Sequence, residues 1–193
     1  MNDALRRSAA HVFIDQIDGG ELLEDSHVLE RGDTADECVF DRMAGFVGGV
    51  DDSWREVPYD TGRAVLNMLM SGTLARFQDI TWIFSHSGGT VPILAERVKA
   101  LGGNIPRMKQ AAPRGIDHEL KRLYYETANG AWRPNLAALL GYVPVSQVMF
   151  GTDYPYVTVG ANLEGLRAYG LSGADLNAIQ YENAARVIPA MRL

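Results

Sequence analysis

The sequence predicts an α/β fold with a parallel sheet, on three observations. The stretch Thr81 to Pro92, TWIFSHSGGTVP, reads as a strand, a glycine turn and the start of a helix. Farther along, QVMFGTDYP repeats the first half of that architecture with an aspartate where the first has a histidine. From residue 61 onward, short β-rich runs alternate with stretches of helical period, the pattern of a sheet whose parallel strands are joined by helices.

The first stretch organises the rest. Trp82, Ile83 and Phe84 form the apolar run, and Leu94, Val98 and Leu101 recur at i, i+4 and i+7 beyond the turn. Gly88 and Gly89 let the backbone reverse sharply, while Thr90 and Pro92 suit the N-cap and first turn of the helix. His86 therefore stands at the carboxyl end of a parallel strand, where α/β folds build their sites. A lone histidine there can equally be structural. Asp153, leaving the strand 147–150 in the same manner, favours a site to which both contribute.

The remaining elements follow in order. HVFIDQI, from His11, reads as one short strand followed by a turn at Asp18-Gly19-Gly20, and 32–58 reads as a long glycine-rich, acidic excursion. Leu66, Leu69, Met70, Thr73, Leu74 and Phe77 predict an amphipathic helix over 61–77, with Gly72 inside it allowing close packing. Its methionines read as core filler. Gly102-Gly103 stops the helix after the organising strand. Residues 104–119 read as a charged, proline-punctuated connection, and LYYET as a strand with Glu126 near its end, facing the mouth or else solvated or salt-bridged. Arg133-Pro134-Asn135 opens a helix stopped by Gly141, and Ser172 with Asp175 caps another running through Leu176 and Ile179. Tyr156 reads as an exposed loop residue.

Composition limits the function classes. A chain of 193 residues supports one sizeable core but is short for a complete eight-stranded barrel, which usually takes about 250 residues. With 18 Lys+Arg against 24 Asp+Glu, neither nucleic acid nor an anionic membrane is the expected partner. Cys38 is the single cysteine, so no intrachain disulfide and no cysteine-based metal cage can form, which suits the reducing cytoplasm. No secretory leader and no membrane-spanning apolar run is read.

Taken together, DTGRAVLNMLMSGTLARFQDITWIFSHSGGTVP, YYETA, FGTDYP and ENAARVIP resemble the carboxyl-terminal half of the amidohydrolase-related proteins. The branch is the one that includes aminocarboxymuconate-semialdehyde and resorcylate-type decarboxylases. The resemblance covers 57–193, leaving 1–56 as a poorly readable amino-terminal segment. It implies an incomplete (β/α)8 TIM-type barrel in which the strands read above are the sixth, seventh and eighth. It also implies a divalent metal at the mouth, zinc first with manganese or magnesium as alternatives. Asp153 would be a metal ligand and His86 would stand with it at the metal, activating or orienting the metal-bound water and substrate and handling protons, both counting as catalytic and as metal-site residues. The substrate class implied is a small aromatic or muconate-like carboxylic acid, undergoing decarboxylation or hydrolysis. The Gly88-Gly89 turn and the helix N-terminus beyond are expected to offer unpaired N–H groups to its carboxylate.

The sequence departs from that pattern where the metal is concerned. The family carries a His-x-His or Glu-x-His pair on its first strand and a further histidine on its fifth. The histidines here are 11, 27, 86 and 118, no two of them two apart. The fifth-strand position is expected around Leu29 to Asp33, where none stands. Zinc sites generally take three or four protein donors, so the expectation is a metal held only with help from a second chain or from another copy. The alternative is a truncated, catalytically silent half-barrel with a structural or interaction role. A sheet that does not close must also cover its edges, which again points to self-association or a partner.

Overall fold

The computed structural model describes residues 11–14 and 53–188. Strands β1 (His11–Ile14), β2 (Thr81–Phe84), β3 (Tyr124–Glu126) and β4 (Val148–Met149) form one sheet in the order β1-β2-β3-β4, every pair parallel. The helices are α1 (Ser53–Met70), α2 (Thr73–Arg76), α3 (Val91–Gly102), α4 (Pro106–Ala111), α5 (Ile116–Lys121), α6 (Arg133–Tyr142), α7 (Val159–Tyr169), α8 (Gly173–Asn177) and α9 (Asn183–Val187). A π turn, Ala178–Glu182, joins α8 to α9. The predicted α/β class with a parallel sheet holds among the described residues.

Register follows from side-chain alternation. Phe84, Tyr125 and Val148 stand opposite one another across β2, β3 and β4, and all are fully buried in the main core against the helices. The Phe84 and Tyr125 rings lie 6.4 Å apart and tilted. The Tyr125 hydroxyl donates to the Leu120 carbonyl, and burial pushes its phenol well above the ordinary range. Ile83 and Met149 point to the other face, where a smaller apolar cluster with Ala184, Tyr124, Val187 and Ile188 forms. Glu126, opposite Met149, shares that second face.

Several boundaries differ from the sequence reading. The helix expected over 61–77 begins at Ser53, with Pro58 inside it, and ends at Met70. Gly72 does not sit within it: at φ 75° it ends one helix and begins another, a conformation that a side chain resists. The buried face is also rotated toward Thr61, Ala64, Val65 and Leu69, leaving Met70 47% exposed, so that methionine is not core filler. The cause is the tight seat of α1 on the turn after β2. A Cβ on Gly62 would lie 2.0 Å from Thr90 Oγ1, and one on Gly89 would lie 2.0 Å from the Pro58 carbonyl.

On α3 the buried positions are Val91, Ala95 and Gly102, while Leu101 is 59% exposed, so the apolar stripe lies away from the one read. Thr90 is helical and makes no side-chain cap; Pro92 does stand in the first turn. The connection 104–119 contains α4 and most of α5. The sequence reading passed over α7 because Gly160 and Gly165 dilute its helical signal. Gly165 is required there, since a Cβ would meet the Ala131 carbonyl at 2.1 Å. Thr158 caps α7, and Ser172 caps α8 through Asp175 as expected.

The strand paired with β2 is His11–Ile14, and the Leu29 to Asp33 region lies outside the described residues. HVFI is rich in β-forming residues. His27, Cys38 and most of the 32–58 excursion lie outside the described residues. The Met149 carbonyl accepts from Thr127 N–H on the β3 side, while at the far edge the Val148 carbonyl accepts from Asn183 Nδ2 at 2.7 Å. The same amide reaches the Val145 carbonyl at 2.8 Å, and Arg186 donates to Ser146. The helix α9 thus caps the edge that an open sheet would present.

Two outcomes are expected. Asn183→Ala leaves buried carbonyls unpaired and should cost about 1–3 kcal/mol in urea unfolding. On the surface, Lys99 of α3 meets Asp117 of α5 at 2.6 Å, and that hydrogen bond holds the Asp117 carboxyl below its ordinary value. A lowered folded value stabilises above the unfolded one and loses the contribution as pH falls through the folded one. Asp117→Asn should therefore be less stable than the parent at neutral pH, with the difference vanishing in acid, as thermal melts across pH will show.

Candidate functional site

Three loops leave the carboxyl ends of β2, β3 and β4, and among the described residues every non-glycine with positive φ lies in them. They are His86 (51°) and Ser87 (59°) after β2, Asn129 (41°) after β3, and Asp153 (65°) after β4. Each such residue costs about 1–2 kcal/mol relative to the right-handed conformation, and such strain clusters where geometry serves a site. Gly88 and Gly89, at 74° and 57°, extend the left-handed run after β2. The run closes on itself, with Gly88 N–H donating to Ser85 and Gly89 N–H to His86. Those N–H groups are therefore not open to a ligand, contrary to the sequence expectation, and Pro92 removes a further donor from the start of α3.

Glu126 holds this turn. Its carboxylate is buried and accepts from the His86 N–H at 3.0 Å and the Ala128 N–H at 2.7 Å. Both of these contacts are to backbone N–H groups. Ala128 answers with its carbonyl, 3.0 Å from His86 Nδ1. A carbonyl only accepts, so Nδ1 carries the proton and Nε2 is the basic nitrogen of the neutral ring. Ser87, also buried, donates to the Gly130 carbonyl at 3.4 Å.

The loop after β4 is tied to the same centre. Thr127 Oγ1 donates to the Gly151 carbonyl and accepts from the Gly151 N–H, both at 3.2 Å. A Cβ on Gly151 would lie 1.4 Å from Glu126 Oε2, so the carboxylate occupies the space that glycine leaves. Asn162 of α7 donates to the Thr152 carbonyl at 2.7 Å, and the Asp153 carbonyl accepts from Tyr156 and Val157. Asp153 and His86 are both half-buried, and Glu126 and Gly151 link their loops. Tyr156 is 80% exposed, as read.

Sequence reasoning missed the work of Glu126, Ala128, Thr127 and Asn162. Glu126 carried a usable signal: a carboxylate ending an apolar strand, directly before the small residues Thr127-Ala128-Asn129-Gly130. A metal was tested against the same geometry. Among the described residues, no three His, Cys, Asp or Glu side chains converge to hold an ion. The described residues therefore do not by themselves fit the metal that the resemblance implies.

A parallel sheet flanked by helices, with loops converging at the carboxyl ends of its strands, defines an α/β protein of the kind that builds its site there. The sequence profile of the amidohydrolase family matches residues 42–190, and the chain belongs to that family. It is 28% identical over 140 residues to a 6-methylsalicylic acid decarboxylase from Penicillium expansum, covering 71% of this chain and 43% of that protein. To the 2-amino-3-carboxymuconate-6-semialdehyde decarboxylase of Caenorhabditis elegans it is 25% identical over 150 residues, covering 73% and 37%. The structure superposes on a dihydroxybenzoic acid decarboxylase from Polaromonas, solved with bound manganese and 2-nitroresorcinol. That match has TM-score 0.60 and 18% identity, over 71% of this chain and 42% of the other. The chain thus spans about two-fifths of the length of these relatives.

A paired substitution tests the left-handed turn. A Cβ on Gly88 would meet the Tyr125 ring at 2.5 Å in a backbone conformation that already disfavours it. Gly141, in α6, has nothing within 4 Å of that position. Gly88→Ala should cost more than about 2 kcal/mol, whereas Gly141→Ala should gain up to about 1 kcal/mol. Denaturant midpoints will separate them.

Proposed function

We propose that the chain supplies one wall of the mouth of an amidohydrolase-type decarboxylase acting on a small aromatic or muconate-like carboxylic acid. In this reading β2, β3 and β4 correspond to the sixth, seventh and eighth strands of a (β/α)8 barrel, and 57–193 is the segment that carries the site. The observation that carries the reading is the state of His86: at a strand end, in a strained turn, with Nδ1–H fixed on the Ala128 carbonyl. Decarboxylation breaks the bond between ring carbon and carboxylate, releases carbon dioxide and delivers a proton to that carbon. Nε2 of His86, bare at rest, takes up a proton from water and delivers it to that carbon as carbon dioxide leaves, returning to its bare form, a role worth about 10²–10⁴ in rate.

Asp153 has a different part. Its carboxylate is a hard donor on a loop pinned by Asn162 and Thr127, suited to a divalent ion. Supporting this, the Polaromonas protein of the same fold was solved with manganese. Zinc is the ion we favour, with manganese or magnesium as alternatives, and donors beyond the described residues must join Asp153 to hold it. Those could come from residues outside 53–188, from a second chain or from another copy. No helix among the described residues is long and apolar enough to cross a membrane.

One observation favours a second reading, a catalytically silent half-barrel: the missing convergence of three metal-binding side chains among the described residues. The two separate in one assay of carbon dioxide release from 6-methylsalicylate and 2,6-dihydroxybenzoate, with zinc or manganese supplied. Under the first reading the parent turns over, His86→Ala lowers the rate by about 10²–10⁴ while keeping metal content, and Asp153→Ala loses metal and rate together. A parent with no rate above buffer selects the silent reading.

A further inference from the structure

We infer that Glu126 is a positioning residue: through two backbone N–H groups it holds His86 in the left-handed turn and thereby selects which imidazole nitrogen carries the proton. The inference deepens the proposed function and rests on the reading of His86 as the proton-handling group. Its basis is a closed ring of hydrogen bonds. Glu126 Oε1 accepts from His86 N–H, Oε2 accepts from Ala128 N–H, and the Ala128 carbonyl accepts from His86 Nδ1–H. The ring has two donors converging on one carboxylate and one donor converging on a carbonyl, so its polarity is fixed throughout.

Three further features show that the arrangement is built for a carboxylate. Glu126 is only 8% exposed, so its charge is desolvated and needs strong acceptor bonds to be held there. Gly151 is the residue that leaves room for Oε2, at a distance where any side chain would collide. His86 at φ 51° and Ser87 at 59° would relax to right-handed conformations without a tether. An amide in place of the carboxylate offers one acceptor oxygen for the two N–H donors and turns its own NH₂ toward the other. The ring then opens at His86 or at Ala128, and either break loosens the Nδ1–H to carbonyl contact.

The test is spectroscopic and needs neither substrate nor metal. Histidine-labelled, chelator-treated protein is examined by long-range nitrogen NMR at a pH where the ring is neutral, with His86→Gln used to assign the signal among the four histidines. The parent is expected to show Nδ1 protonated and Nε2 bare. Glu126→Gln is expected to lose that form as the major one and move toward the Nε2–H tautomer, with a cooperative melt retained. A parent already in the Nε2–H form overturns the inference, as does a Glu126→Gln variant whose His86 signal is unchanged. If Glu126→Gln does not fold, Glu126→Asp carries the test. It keeps the charge but is one methylene short of spanning both N–H groups, and an unshifted tautomer there overturns the inference equally. A chain with the Nδ1–H tautomer but no turnover sinks only the proposed decarboxylase reading. A chain that turns over but keeps its tautomer in Glu126→Gln sinks only the role of Glu126.

Discussion

The site depends on one buried carboxylate that binds backbone. Glu126 sits on the same sheet face as Met149, at the end of the strand between β2 and β4. A desolvated charge there is costly unless its acceptors are filled, and the N–H groups of His86 and Ala128 fill them. The magnitudes suffice for the strain it supports. Two non-glycine residues in the left-handed region cost about 2–4 kcal/mol. Two hydrogen bonds to a charged acceptor contribute about 3–6 kcal/mol. The turn that carries His86 is therefore held without appeal to its own sequence preferences.

The position of β3 explains why one residue can govern both neighbouring loops. It pairs with β2 on one side and β4 on the other, so its last residues lie within reach of both loop starts. Glu126 and Ala128 serve the β2 loop, and Thr127 serves the β4 loop through Gly151. The glycines at 88, 89, 130 and 151 are clearances for these contacts: each would place a Cβ within about 2.5 Å of the Tyr125 ring, the Pro58 carbonyl, the Ser87 hydroxyl or the Glu126 carboxylate. Pinned on several sides, the loops hold their geometry before any ligand arrives, which is what preorganised chemistry requires.

Much of this was legible in the sequence where local chemistry decides structure. The apolar runs at Thr81–Phe84 and Val148–Met149, the strand at His11, and the cap at Ser172 follow from composition and period. His86 and Asp153 were placed at strand ends by the same patterns. What was hidden depended on partners distant in sequence. The rotated face of α1 comes from its seat against Thr90, and α7 was masked by a glycine that exists to clear the Ala131 carbonyl. The tether from Glu126 to His86 spans forty residues, and no local rule assigns a glutamate to two amide protons. The reading of the Gly88-Gly89 turn as an anion cradle failed for a related reason. A left-handed run closes its own N–H groups, which a list of glycines does not reveal.

The contacts that set His86 and those that orient Asp153 are made by different residues. The ring of hydrogen bonds that sets His86 uses Glu126 and Ala128, and meets the Asp153 loop at the space left by Gly151. Asp153 is oriented by other means: Asn162 on the Thr152 carbonyl and the turn that accepts from Tyr156 and Val157. The Nδ1–H form of His86 is therefore set by hydrogen bonds within the chain, none of which involves an ion. The persistence of a strained, tethered His86 is accordingly evidence about the histidine alone, and the metal must be judged on its own donors. That is why the decarboxylase reading rests on His86, and why the silent reading draws its support from the coordination shell.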